Sequence, residues 1–146
     1  MNAISDLATG AVELLKTQGA LRADVPILFR RPREKANEIA AAVAKQTLGI
    51  YVMPPFPTRA MQGVPFVFYE GAELRVRIIE QPALNSTGAD AYDLCDDVAL
   101  ALHWKNPGGM LAHPLMLAPR PVELIEDPQT RILDVIFTAV FQLNKS

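Results

Sequence analysis

The side chains that could carry chemistry are few and lie in the second half of the chain. Two histidines, His103 and His113, follow Cys95, Asp96 and Asp97. These residue types can bind a divalent metal, but their spacing matches neither HExxH nor paired CxxC. Asp96 and Asp97 are adjacent, so on a helix they point to different faces and are poorly placed to act as a general acid and base. The sequence predicts no metal site and no catalytic pair here.

Other chemical motifs are also lacking. Gly108-Gly109 has no flanking pattern of a phosphate loop or a dinucleotide fingerprint, and no serine stands in a GxSxG context. Cys95 falls on the apolar face of a predicted helix, where a cysteine acts as a small hydrophobic residue rather than a nucleophile. His103 lies at the polar end of that helix, where a cation suits the helix dipole. We therefore expect no enzyme activity and no cofactor.

Length and charge exclude several classes of protein. The chain has 146 residues, half of them apolar, and a net charge of −2, which predicts one domain over residues 1–146. No basic excess is present to bind a phosphate backbone, so we expect no sequence-specific nucleic-acid binding. A single cysteine cannot form an internal disulfide, which suits a reducing compartment. No apolar run reaches the roughly 18 residues of a membrane span, and the N-terminus does not resemble a secretion signal.

Leu74–Trp104 is the stretch around which the other elements are arranged. Leu74–Glu80 alternates apolar and polar residues, as a half-buried strand does. Thr87 with Asp90 resembles a capping box, which predicts a helix over Asp90–Trp104. Its apolar face comprises Ala91, Leu94, Cys95, Val98 and Leu102. We expect Trp104 to close the core at the end of this helix, with a binding hot spot as the alternative.

The remaining periodicity predicts an α+β fold, with a mostly antiparallel sheet and helices packed on one face. The predicted elements are a helix over residues 2–19, a strand at Val25–Phe29, a helix at Glu34–Gln46, a strand at Ile50–Met53, a hairpin of Pro65–Tyr69 with Leu74–Glu80, short strands at Leu115–Leu117 and Val122–Ile125, and a long strand at Arg131–Leu143. The basic cluster Arg30-Arg31-Pro32-Arg33 is interpreted as a solvated loop, with an anion or nucleic-acid site as the alternative.

The last predicted strand has two different faces. One face is continuously apolar and must pack on helices: Leu133, Val135, Phe137, Ala139, Phe141 and Leu143. The other face is mixed, and it could meet water or another subunit: Ile132, Asp134, Ile136, Thr138, Val140 and Gln142.

The segment Pro54–Pro65 is predicted to be a loop, because prolines cannot donate ladder hydrogen bonds. It is apolar for a loop, since it carries Phe56, Met61 and Val64. Either it folds back on its own core, or it is an assembly arm that orders against a neighbouring subunit. In the second case Arg59 could pair with an acid of that neighbour. We take Phe56, Arg59, Met61 and Val64 as the candidate oligomer interface.

The order of these elements resembles the tail terminator proteins of tailed bacteriophages, also called tail completion or minor tail proteins. The most similar part is Leu74–Gln81 followed by Ala91–Trp104. The resemblance implies an α+β domain that assembles into a homohexameric ring. The ring caps the tail tube and joins the tail to the head-proximal connector or neck protein. It implies no catalytic residues, and it implies a virion protein assembled in the bacterial host cytoplasm.

Two other functions remain open at this stage. The chain could be a different phage component, of the neck or the baseplate. It could also be a small cytoplasmic enzyme or ligand-binding domain with a pocket near Trp104 and His113.

Overall fold

The computed structural model describes residues 3–17, 27–29, 48–63, 65, 67–85, 89–107, 111–126 and 129–143. The elements in chain order are α1 (Ala3–Thr17), β1 (Ile27–Phe29), β2 (Leu48–Met53), β3 (Arg59–Ala60), β4 (Val67–Glu80), α2 (Ala91–Leu102), β5 (Met116–Glu126) and β6 (Arg131–Leu143). The predicted helix Glu34–Gln46, the basic cluster Arg30–Arg33 and the pair Gly108-Gly109 lie outside the described residues.

The strands form one sheet in the order β1-β2-β4-β6-β5, and β3 pairs with β4. Strand β1 runs parallel to β2, and the other pairs are antiparallel. Helices α1 and α2 contact each other and the sheet, and they cover one of its faces, called here the inner face. The predicted α+β class with a mostly antiparallel sheet is confirmed. Among the described residues, no helix combines the length and the apolarity needed to cross a membrane.

The hydrophobic core lies between the two helices and the inner face of the sheet. Helix α1 contributes side chains at helical spacing, among them Leu7, Ala11 and Leu15, all buried. In β6 the predicted apolar face is buried from Leu133 to Phe141, and Phe137 and Phe141 are fully buried on the inner face. Asp134 and Ile136 of the other face are buried as well. The bounds of β6 agree with the predicted strand.

The predicted hairpin of Pro65–Tyr69 with Leu74–Glu80 is wrong, because Val67–Glu80 forms the single strand β4. Tyr69 lies opposite Phe141 and Ala72 opposite Ala139, so β4 carries an extra residue at this point. This is a β-bulge, and Gly71 in it has a φ of 72°. The Gly-bearing segment has the composition of a turn, but pairing with β6 on both sides of the bulge overrides that local preference.

Strand β5 is also longer than predicted. The sequence predicts separate short strands at Leu115–Leu117 and Val122–Ile125, whereas β5 runs through Pro119 and Pro121 with a register irregularity between Leu117 and Val122. Prolines are tolerated because β5 lies at the edge of the sheet, where one row of N–H groups needs no strand partner.

The beginning of α2 differs from the prediction in its capping residue. Asp90, not Thr87, is the N-cap: its side chain accepts a hydrogen bond from the Asp93 amide (2.9 Å), and Asp93 accepts one from the Asp90 amide (3.1 Å). Asp90 is extended and directly precedes the first helical residue, so its carboxylate is within reach of the free N–H groups. Thr87 lies outside the described residues.

Trp104 does not close the core, so that prediction is wrong. Helix α2 ends at Leu102, and Trp104 has a left-handed backbone (φ 65°) with 63% of its surface exposed. Its backbone N–H donates to the Leu115 carbonyl (2.7 Å). Leu102 and Leu115 are the fully buried side chains at this end of the core, because the turn after the helix directs Trp104 outward.

Candidate assembly interface

The segment after β2, residues 54–63, lies against the beginning of β4 and is called here the arm. The Thr58 amide donates to the Glu70 carbonyl (3.0 Å) and the Met61 amide to the Phe68 carbonyl (3.1 Å). Between these bonds, β3 pairs Arg59–Ala60 with β4. The arm is therefore partly a strand, not the pure loop that its prolines predict.

The bulge in β4 provides the space in which the arm lies. A Cβ on Gly71 would overlap the Thr58 hydroxyl oxygen, which donates a long hydrogen bond to the Gly71 carbonyl (3.4 Å). The positive φ of Gly71 also disfavours any L side chain. Glycine is thus required twice at this position, for its backbone conformation and for the close approach of the arm.

The side chains of the arm are divided between the core and the surface. Pro55 is buried, whereas 69% of Phe56 and 39% of Met61 are exposed. The backbone of the arm folds back on its own sheet, in agreement with one interpretation of the sequence. Its large apolar side chains nevertheless stay outside the core, as the assembly interpretation requires. Val64 lies outside the described residues.

Arg59 forms an ion pair with an acidic residue of its own chain, Glu70. Its Nε donates to Glu70 Oε2 at 3.0 Å, and most of the Arg59 side chain is exposed. An ion pair so open to solvent contributes roughly 0–1 kcal/mol to stability. The pairing of Arg59 with an acid of a neighbour stays a prediction, and it would require sharing or exchanging Glu70.

Strand β5 carries a second group of exposed apolar side chains, which sequence reasoning missed. Val122, Leu124 and Ile125 are each 42–51% exposed. In the described part of the chain, β5 pairs with β6 on one side only. Pro119 and Pro121 were the sequence signal of an edge strand.

The face of the sheet opposite the helices, called here the outer face, carries a charge network across three strands. Asp134 on β6 is fully buried, and it accepts hydrogen bonds from Arg77 Nε (2.8 Å) and Arg77 Nη2 (3.0 Å). Arg75 bridges Glu123 (2.7 Å), Glu73 (3.2 Å) and Asp134 (3.4 Å). The hydrogen bond to Asp134 raises the pKa of Arg77, and that to Glu123 raises the pKa of Arg75. The mixed face predicted for β6 is therefore covered near Asp134 by arginine side chains of the same chain.

The structure gives the surroundings of His103, His113 and Cys95, the residues considered for chemistry. His103 Nδ1 accepts a hydrogen bond from the Leu117 amide (3.2 Å), and His113 Nδ1 lies 2.9 Å from the Pro114 carbonyl. Burial, together with the charge of Asp96, raises the pKa of the Cys95 thiol, which lowers its thiolate fraction. Within the described ranges, no three His, Cys, Asp or Glu residues are grouped so that they could hold a metal ion.

Gly71→Ala should detach the arm from β4, because the new methyl group overlaps Thr58. We expect the amides of Thr58 and Met61 to lose protection from hydrogen exchange, and stability to fall by about 1–3 kcal/mol. Gly63→Ala is the matched control, since Gly63 has a similar φ of 77° but open space where a Cβ would lie. Equal exchange at Thr58 and Met61 in both variants would show that Gly71 does not position the arm.

The comparisons with known proteins concern the fold. No protein-family model matches the chain, and no curated protein matches it significantly. Among solved structures, a chain of the virion of a native gene transfer agent particle superposes with a TM-score of 0.68 at 13% identity, over 97% of this chain and 99% of that chain. A second solved chain has a TM-score of 0.52 at 11% identity, over 97% and 94%. This chain thus shares its fold, over nearly its whole length, with a chain of a gene transfer agent virion.

Proposed function

We propose that this protein is a structural virion protein, a tail terminator that caps the phage tail tube as a ring of six copies. In this role it joins the tail to the head-proximal connector or neck protein. Its partners are other copies of itself, the tail tube protein and the connector, and it assembles in the bacterial host cytoplasm. It acts by binding and not by catalysis.

The observation that carries this proposal is the fold shared with a gene transfer agent virion chain over 97% of this chain. The order of elements, which resembles tail terminators, supports the same role. Neither histidine nor Cys95 lies in a described arrangement that favours an enzyme, and Trp104 points outward from the core. The ligand-binding alternative therefore has no observation in its favour.

The arm supplies a surface of the kind that a ring requires. Identical subunits in a ring use a heterologous contact, in which one surface of each copy binds a different surface of the next. Phe56 and Met61 expose apolar area, whose burial contributes roughly 25 cal/mol per Å². The hydrogen bonds of Thr58 and Met61 to β4 already order the arm, so docking it costs less conformational entropy.

Phe56→Ser with Met61→Ser should shift the protein from ring to monomer while its melting temperature stays within a few degrees of wild type. Both side chains are exposed in the subunit, so their loss removes little core packing. Analytical ultracentrifugation gives the mass, and thermal melting of the double variant should be measured under conditions in which both proteins are monomeric.

Leu84→Ser is the matched control, because Leu84 is 64% exposed and lies on the turn after β4, away from the arm. It should leave the assembly intact. If the Phe56→Ser/Met61→Ser variant forms the same oligomer as wild type, the arm is not part of the interface.

A further inference from the structure

Two places at the margin of the described sheet carry exposed apolar side chains: the arm, beside the beginning of β4, and the edge strand β5. On one side, β4 pairs with β6. Strand β6 in turn pairs with β5, which is the last strand on that side. Tyr69 on β4 is opposite Phe141 of β6 and also opposite Ala60 of β3. Strand β3 must therefore lie on the side of β4 away from β6, the side on which β2 pairs with the later part of β4. The arm and β5 thus lie on opposite sides of the β4–β6 pair.

We infer that the arm of one copy binds the β5 edge of the next copy, so that the sheet edges of neighbouring subunits meet. This inference rests on the proposed ring and names the second surface of its contact. The occupant of the β5 edge is then Phe56 and Met61 of a second copy, which cover Val122, Leu124 and Ile125.

The arrangement of the two edges favours a second copy as the occupant. A head-to-tail contact needs two different surfaces on one subunit, facing away from each other. The arm and β5 meet this condition, whereas either surface alone would serve only a two-fold contact. Repeating the contact closes a ring when the rotation from one copy to the next is a whole fraction of a turn, and it otherwise gives an open helical filament.

Charge on the outer face of the sheet agrees with this pairing. Tyr69 packs towards the core, so Glu70 and its partner Arg59 lie on the outer face. Glu123 lies opposite the outward-facing Asp134, and therefore on the outer face of β5. The side chains of Arg59 and Glu123 are 67% and 48% exposed. Arg59 and Glu123 each have an ion-pair partner in their own chain, Glu70 and Arg75 respectively. A contact between the two edges would add an opposite charge to each of these pairs, which would favour this register over a contact between two arms.

Site-directed crosslinking tests the inference. In a Cys95→Ala background, Ala60→Cys is placed on the arm and Leu124→Cys on β5, and a short bismaleimide is added. A chain with both cysteines should give a ladder of crosslinked species ending at the closed ring. An equal mixture of the two single variants should give dimers only. The inferred contact holds residue 60 of one copy and residue 124 of the next at a high effective concentration. The yield of crosslinked product from the Ala60→Cys/Leu124→Cys chain should therefore be at least about tenfold higher than that from a Thr9→Cys/Ala60→Cys control.

Three other crosslinking results would each contradict the inferred edge contact, and each has a different meaning for the proposed ring. Crosslinked dimers of Leu124→Cys alone would indicate a two-fold contact between β5 strands. Control-level crosslinking in a protein that still sediments as an oligomer would reject the edge contact and leave the proposed ring standing. A monomeric protein that forms no crosslinks would reject both the edge contact and the proposed function.

Discussion

Phe137→Asp should unfold the domain. Phe137 is fully buried in the middle of β6, between Leu74 of β4 and Leu117 of β5. Losing the ring costs about 3–5 kcal/mol, and a buried carboxylate without a partner adds several kcal/mol more. The sum is comparable to the total stability of a domain, roughly 5–15 kcal/mol.

Circular dichroism with thermal or urea melting measures this effect. Leu100→Asp is the matched control, because it makes a similar change at a side chain that is 77% exposed on α2. The control should melt cooperatively within about 1 kcal/mol of wild type. A Phe137→Asp protein with an unchanged melt would show that the inner face of β6 is not in the core.

Arg77→Met should cause the second-largest loss of stability, about 2–4 kcal/mol. The substitution keeps most of the aliphatic stem but removes both hydrogen bonds that Arg77 donates to Asp134. Asp134 is fully buried, and removing one partner of a buried pair leaves an uncompensated charge that costs about 3–5 kcal/mol. We expect somewhat less than this maximum, because Arg75 still lies 3.4 Å from Asp134.

Urea denaturation compares this variant with Arg59→Met, which breaks an exposed ion pair to Glu70. The control should lose no more than about 1 kcal/mol. A second comparison separates charge from packing: adding Asp134→Asn to Arg77→Met should recover part of the loss, since the uncompensated charge is then gone. If Arg77→Met and Arg59→Met lower the free energy of unfolding equally, burial of Asp134 does not make its ion pair with Arg77 more stabilising than an exposed pair.

Much of the fold could be predicted because its signals are local and repeated. The thirteen alternating residues of β6 gave its bounds, and the helical spacing of Ala91, Leu94, Val98 and Leu102 gave the buried face of α2. The errors came from features that depend on tertiary neighbours. Pairing with β6 converts a turn-like segment at Gly71 into a bulge, and an extended Asp90 displaces the expected cap.

The candidate interface was harder to predict because apolar composition does not state whether a side chain is covered. Apolar character marked Phe56 and Met61, which are exposed, but it also suggested burial for Trp104, which is exposed too. Whether a strand lies at an edge depends on the sheet order, and for β5 the sequence signal of an edge was its two prolines, Pro119 and Pro121. The pairing of Arg59 with Glu70 depends on the bulge, so no spacing rule could reveal it.

The mass of the wild-type protein alone in solution tests the central claim most directly. Sedimentation equilibrium over a range of concentrations, with native mass spectrometry of the same sample, should give one closed species. A ring of six copies of the 16.0 kDa chain would have a mass of about 96 kDa. Negative-stain images of that species should show a ring. A protein that stays at 16.0 kDa at the highest concentration measured would contradict the account.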